Sequence, residues 1–234
     1  MMLWGSIVNA AAIVAGSLLG MLLPAMGERY KRTVTQAIGI ALCVLGMTMA
    51  LKTSHFIWVL VSLVAGSLLG EWIRLERRFE QAGEWLERKV PVRKGGAEST
   101  VAKGFVTATL IFAVGAMAIL GAVDGGVRNN HDILYAKSLM DGLMSLILAS
   151  TLGIGVMFSA VPVFLYQGAV TLAAAAAASL TSMEVIEAVT VEVSAVGGVL
   201  IIGIGLNLLE VKRIGVANML PAVAFMAVFV AWFV

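Results

Sequence analysis

The sequence predicts an all-α protein: a polytopic bundle of about eight transmembrane helices, with one interfacial amphipathic helix and candidate internal repeats. Three observations predict it. Of the 234 residues, 60% are hydrophobic and only 13% are charged, about half the ~25% charge content of a soluble domain. The charges crowd into a few short stretches. Between these stretches lie apolar runs of about twenty residues, the length that carries an α-helix across a hydrocarbon core about 30 Å thick. Unpaired backbone amides are very unfavourable in lipid, so each run is expected to satisfy its own backbone as a helix. A transmembrane β-barrel would instead need short strands of alternating character. The formal net charge is +2, which gives no basis for nucleic-acid binding.

The runs fall at approximately 3–24, 33–52, 55–73, 104–122, 134–155, 158–180, 191–209 and 214–233. Lys and Arg concentrate in alternate connections. The first holds Arg29, Lys31 and Arg32, the third holds Arg74, Arg77, Arg78, Arg88, Lys89, Arg93, Lys94 and Lys103, and the last holds Lys212 and Arg213. The second holds little beyond Lys52, the fourth has Arg128 against Asp124 and Asp132, and the sixth carries Glu184 and Glu187. Basic loops mark the cytoplasmic side, so the expectation is eight crossings with both termini outside. Residues 134–180 must hold two spans, because one would put the last basic loop on the wrong side. The stretch Met1–Gly27 has no Lys or Arg, so the first run reads as a permanent span rather than a cleaved secretory signal.

From Glu71 to Val90 the pattern changes. Trp72, Ile73, Leu75, Phe79, Ala82, Trp85, Leu86 and Val90 share one helical face and charges fill the other, which predicts an amphipathic helix lying at the cytoplasmic interface. Residues 91–103 read as a polar cytoplasmic linker. The chain thus divides into a three-span scaffold half, 1–90, and a five-span half, 104–234, with the functional core expected at 104–180.

A seven-residue string, VAGSLLG, occurs at Val14–Gly20 and again at Val64–Gly70. A weaker echo pairs Glu28, Lys31 and Arg32 with Glu210, Lys212 and Arg213. Duplication is common in transporters. Gly16 and Gly20 are four apart, as are Gly66 and Gly70, and small residues at that spacing let helices approach closely. Helix packing is the expected role of these glycines, either within the chain or at the interface of a homodimer.

Ionisable residues inside hydrocarbon are expensive and mark function by default. Asp141 is the strongest candidate. Lys137 stands one turn before it and Ser145 one turn after, so Lys137 pairs with Asp141 at i,i+4 spacing. The pair reads equally as a ligand, ion or proton site and as a structural ion pair. Gly153 and Gly155 break the fifth run, Pro162 follows, and Gly115 and Gly121 interrupt the fourth before Asp124, Gly125 and Gly126. Broken helices line cavities in membrane proteins; the alternative is tight turns and close packing. Gln167 and Asn9 add neutral polar groups within spans. Enzyme chemistry finds no support. His55 and His131 fall in expected outer loops without a metal-ligand cluster, GSLLG lacks the nucleophile order Gly-x-Ser-x-Gly, and no phosphate-cradling loop occurs. No cofactor or metal is expected. Cys43 is the single cysteine, so no intrachain disulfide forms.

The stretch GFVTATLIFAVGAMAILGA, and then AKSLMDGLMSLILASTLGIGVMFSAVPVFLYQG, together spanning Gly104–Gly168, is similar to the bacterial membrane family catalogued as domain of unknown function 554, the YdfK-like proteins. The opening LWGSIVNAAAIVAGSLLG also resembles that family, so the likeness covers nearly the whole chain. It implies a bacterial inner-membrane protein and assigns no activity. Together with the residues, it favours a secondary transporter or channel for a small solute or ion, working as a homodimer, with spans four to six as its core. The alternatives are a substrate-binding subunit of an ATP-driven complex, docking through Ala11 and Ala15, and a non-transporting assembly or sensory component that uses residues 71–90 as its partner surface.

Overall fold

The computed structural model describes residues 1–22, 28–89, 100–113, 116–177 and 183–233. Their helices, in chain order, are α1 (Trp4–Leu22), α2 (Glu28–Ala50), α3 (Phe56–Trp72), α4 (Leu75–Lys89), α5 (Thr100–Ala113), α6 (Ala116–Val127), α7 (Asp132–Leu152), the single turn α8 (Gly155–Phe158), α9 (Ala160–Ala177), α10 (Met183–Leu208), the single turn α11 (Val216–Met219) and α12 (Pro221–Phe233). No strand occurs among the described residues. Stretches long and apolar enough to cross a bilayer lie in α1, α2, α7, α8–α9 and α10. Two bent pairs add to these, α3 with α4 at 56° and α5 with α6 at 59°, and Val216–Val230 is a shorter apolar helix. The eight expected runs therefore each fall on a helix or a broken helix. The fourth is represented by α5 and α6, whose axes differ by 59°, and the sixth begins at Gly155.

The helices are inside-out relative to those of a water-soluble protein. Helix α1 buries Gly5, Ser6, Asn9, Ile13, Gly16, Ser17 and Gly20, and exposes Ile7, Leu18, Leu19 and Leu22. Helix α3 buries Val59, Ser62, Gly66 and Gly70, and exposes Ile57, Leu60, Val64 and Leu68. Small and polar side chains at three- and four-residue spacing face neighbours while large apolar ones face out. That arrangement suits a hydrocarbon exterior, where helices associate through close packing and polar contacts rather than by burying leucine. The protein is accordingly a membrane protein.

Three glycine crossings set the architecture. Along α1 and α7, Gly5 lies against Leu134, Gly16 against Gly142 and Ser145, and Gly20 against Leu146, so the two helices run parallel. Along α2 and α10, Gly39 faces Gly205 and Gly46 faces Gly198, which makes them antiparallel. Gly66 meets Ala222 and Gly70 meets Asn218, so α3 runs antiparallel to α11–α12. These directions are those that eight alternating crossings require. Each helix of residues 1–90 that crosses thus packs on a helix of residues 100–233, and the two halves drawn along the sequence form one body. The two VAGSLLG strings sit at crossings of opposite sense, so the shared string repeats a packing surface and not a whole structural unit.

The amphipathic helix begins at Leu75, not Glu71. Arg74 takes a left-handed conformation (φ 52°) that ends α3 and turns α4 away. Phe79 packs toward the core and Gly83 lies on Ala102, whereas Trp72 and Trp85 stay exposed, as tryptophans of an interfacial belt do. Of the expected linker, residues 91–99 lie outside the described residues, and Thr100–Lys103 form the first turn of α5.

The turn between α3 and α4 is tied to α11. The Glu76 carboxylate accepts the Ala217 N–H at 2.8 Å, the Glu76 N–H donates to Asn218 Oδ1 at 2.7 Å, and Asn218 Nδ2 donates to Glu71 at 2.6 Å. Burial pushes the Glu76 carboxyl above its ordinary value of 4.5; the Ala217 N–H opposes this, and Glu80 and Glu71 add to it. A carboxyl that holds its proton more tightly when folded contributes stability below its ordinary value and loses it as pH rises through the raised one. Thermal midpoints measured upward from pH 4.5 are therefore expected to fall in the wild type. Glu76→Gln, which keeps an acceptor for Ala217, should flatten that fall; an unchanged slope would assign it to other groups.

Candidate functional site

Asp141 lies about 14 Å along α7 from Asp132, at 1.5 Å per residue, near the middle of the span. Its Oδ2 accepts Lys137 Nζ at 2.5 Å, and the two side chains are only 10% and 8% exposed. The same oxygen accepts Asn9 Nδ2 at 3.0 Å, and that amide also reaches Gln167 Oε1 at 3.3 Å. Helices α1, α7 and α9 thus each place a polar side chain on one buried point, and both Asn9 and Gln167 are wholly buried. The local sequence explains the convergence. Gly16 and Gly20 draw α1 onto α7, which brings Asn9 within reach of Asp141, while Lys137 and Asp141 share a face of α7 by their spacing.

Asn9 Oδ1 and Gln167 Nε2 have no hydrogen-bond partner among the described residues, and neither do Ser6 Oγ and Thr171 Oγ1. Unpaired buried polar groups are rare and call for a ligand or water. Ser6 is one turn from Asn9, and Thr171 one turn from Gln167. Both lie toward the end of the bundle where Gly5 and Gly125 flank His131 and where Gly126 meets Thr171. Lys137 is displaced from Asp141 in the same direction. A stripe of polar groups therefore runs from mid-membrane to one end.

Other expected site residues are placed differently. Ser145 Oγ donates to the Gly142 carbonyl at 2.8 Å, within its own helix at the α1–α7 crossing, and does not join the cluster. Gly153, at φ 77°, ends α7 in a conformation that only glycine adopts readily. Gly155 is packed on the Val101 backbone. Gly115 lies outside the described residues. His131, expected in an outer loop, is buried with Nε2 3.1 Å from the Met1 carbonyl. Among the described residues no group of His, Cys, Asp and Glu could hold a metal.

A cavity of about 540 Å³ lies across α9 from the cluster. Tyr166 faces it, whereas the adjacent Gln167 meets Asn9. Ala113 and Ile119, on either side of the bend in the fourth span, both line it, and its lining is otherwise almost wholly apolar. Both arms of that bent span thus border a cavity, the setting in which broken membrane helices are tolerated. Thr109 Oγ1, also on its wall, is buried without a partner among the described residues.

Glu192 was not among the expected site residues. It is 5% exposed on α10. Its carboxylate accepts Thr53 Oγ1, the Ser54 N–H at 3.1 Å and His55 Nδ1 at 3.2 Å, and so gathers the α2–α3 loop. The readable signal is an acid in the apolar string AVTVEVSAV; it is obscured because Glu192 stands at the expected start of a span, where a charge is ordinary.

The profile of a family described as "Protein of unknown function (DUF554)" matches residues 4–231. The chain is 34% identical over 225 residues to a Bacillus subtilis (strain 168) protein named "Uncharacterized membrane protein YdfK", covering 94% of this chain and 92% of that one. It is 30% identical over 238 residues to "Uncharacterized protein YqgA" of Escherichia coli (strain K12), covering 99% and 100%. No solved structure matches the chain.

Proposed function

The chain belongs to the DUF554 family, and from that premise we propose that it is a secondary transporter or channel for a small solute or ion. It resides in the bacterial inner membrane with both termini outside, works as a homodimer and has no catalytic chemistry of its own. The observation that carries the reading is the buried cluster of Lys137, Asp141, Asn9 and Gln167, with its unpaired Asn9 Oδ1 and Gln167 Nε2. A purely structural ion pair needs no unpaired amide beside it. Charge held at mid-membrane, with a polar stripe leading to one end, is what a group that binds and releases an ion or proton requires. The cavity across α9 offers room for a solute, and α9 connects the two. Exposure of Ala11 and Ala15 on α1 keeps the subunit of an ATP-driven complex as the second reading.

The test is a thermal-shift screen of purified protein against ions, amino acids, carboxylates and vitamins, repeated on Lys137→Met/Asp141→Asn, which removes both charges together. A ligand at 100 times its Kd stabilises the folded state by about 2.7 kcal/mol. One that raises the midpoint of the wild type but not of the double variant supports the cluster as the site. Equal shifts in both remove it from that role. No shift with any ligand, with an ATPase co-purifying, favours the second reading.

A further inference from the structure

A second cavity, of about 390 Å³, opens between α3, α10 and α12 at the end of the bundle that holds the α2–α3 loop. Its volume falls within the ~300–1,000 Å³ range of small-molecule sites. Its lining combines a buried carboxylate, Glu192, with two aromatic rings, Trp58 and Phe229, whose centroids are 5.4 Å apart at 49°. We propose that this cavity binds a small organic cation, an alkylated or primary ammonium group, held between the Glu192 carboxylate and the Trp58 and Phe229 rings. The site is distinct from the Asp141 cluster and does not rest on it.

The chemistry selects this ligand class in three steps. First, with His55 neutral, the described lining residues carry one formal charge, that of the Glu192 carboxylate. Among the described residues no Lys or Arg lines it, and Lys52, on the adjoining loop, is exposed and does not face it. Three donors, Thr53 Oγ1, the Ser54 N–H and His55 Nδ1, already hold the carboxylate in place. A carboxylate offers about four lone-pair positions, two on each oxygen; among the described residues Oε1 takes two donors and Oε2 one, and Glu192 lines the cavity. Second, a bare metal ion is poorly matched. Hard cations take six or more oxygen ligands, and apart from Ser54 and Glu192 the walls are apolar, aromatic or imidazole. Third, a cation that carries its own alkyl shell matches all of the walls. Its charge meets the carboxylate and the ring faces, since aromatic faces attract ammonium groups within about 6 Å, and its methyl groups meet Ala188, Met226 and Val230.

The experiment uses the full chain purified in detergent, with choline as the probe. Its neutral carbon isostere, dimethylbutanol, and sodium chloride at matched ionic strength serve as controls. Equilibrium dialysis of labelled choline gives affinity and the thermal midpoint gives stabilisation. Saturable choline binding is expected, with neither control competing. Trp58→Leu, which leaves the Glu192 hydrogen bonds intact, should weaken it about tenfold. Glu192→Gln should weaken it at least as much, and Lys137→Met/Asp141→Asn should leave it unchanged. Equal binding of dimethylbutanol would reduce the cavity to an apolar void and overturn the proposal. So would full competition by sodium, affinity retained in Trp58→Leu, or no choline binding at all. If Glu192→Gln does not fold, the Trp58→Leu result decides.

Discussion

Asp141→Asn is expected to destabilise the folded protein by about 3–5 kcal/mol, and adding Lys137→Met is expected to return most of that loss. The reasoning starts from burial. Lys137 and Asp141 are 8% and 10% exposed in their side chains, and among the described residues Asp141 is the one acid within ion-pair distance of Lys137. Removing the carboxylate alone strands an ammonium at mid-membrane. Breaking a buried pair from one side typically costs that much, because the remaining charge is desolvated without compensation, whereas replacing both partners by neutral groups of similar size is often neutral or better. The introduced asparagine side chain would still accept from Asn9, so the neutral pair keeps the α1–α7–α9 junction together. A double-mutant cycle on unfolding midpoints measures the coupling directly. Destabilisation under about 1 kcal/mol in both single variants, with no coupling, would show that the pair is not charged in the folded protein. The cycle also bears on function. The single variant confounds folding with ion handling; the double variant, if stable, separates them, because it keeps the scaffold and lacks the titratable group. Coupled uptake lost in a stable double variant supports the transport reading, and uptake retained in it removes the pair from the mechanism.

How far the sequence discloses this site depends on whether a contact is local in the chain. The Lys137–Asp141 pair is legible because one helix turn separates its members and helix geometry alone brings them together. Asn9 and Gln167 are visible as polar residues in apolar runs, but Asn9 reaches Asp141 because α1 packs on α7, and Gln167 reaches Asn9 because α9 packs on α1, and nothing in their spacing states that. The same division applies to the glycines. Gly16, Gly20, Gly66 and Gly70 announce themselves at four-residue spacing. Gly39 and Gly46, and Gly198 and Gly205, are seven apart, and their meaning lies in a match between two distant segments. The span count follows from hydropathy. Of the two glycines expected to interrupt the fourth span, Gly121 lies inside the unbroken α6, packed on Leu134, and Gly115 is outside the described residues; the cavity beside that span is formed by side chains from α4, α5, α6, α9, α10 and α12 together. Glu192 shows the opposite failure. The residue is in plain view, but its burial comes from Thr53, Ser54 and His55 folding back over it, and charges at span ends are ordinarily wet.

Gly16→Ala and Gly70→Ala are each expected to destabilise the protein by about 2–4 kcal/mol, while Gly168→Ala is expected to be neutral or to stabilise by up to about 1 kcal/mol. All three exchanges introduce the same methyl group into a helix, and helix propensity alone favours Ala over Gly by ~1 kcal/mol. The difference lies in what the methyl group meets. On Gly16 it would overlap the Gly142 carbonyl oxygen, and on Gly70 the Asn218 carbonyl oxygen. Both obstacles are backbone, which cannot swing aside as a side chain can, so the helices themselves must part. Parting α1 from α7 loosens the approach of Asn9 to Asp141, and parting α3 from α11 strains the Glu71–Asn218–Glu76 tie. Overpacking of this kind usually costs about 1–3 kcal/mol and sometimes more. At Gly168 the nearest atom to a methyl group is Leu3 Cδ2 at 3.6 Å, an ordinary contact with a flexible side chain. The two harmful sites share no partner, so their effects should add to within about 0.5 kcal/mol in the double variant. Unfolding midpoints of the monodisperse detergent-purified variants provide the measurement. If Gly16→Ala and Gly70→Ala prove as benign as Gly168→Ala, the helices do not approach this closely, and the convergence of Asn9, Asp141 and Gln167 that depends on the α1–α7 crossing loses its support.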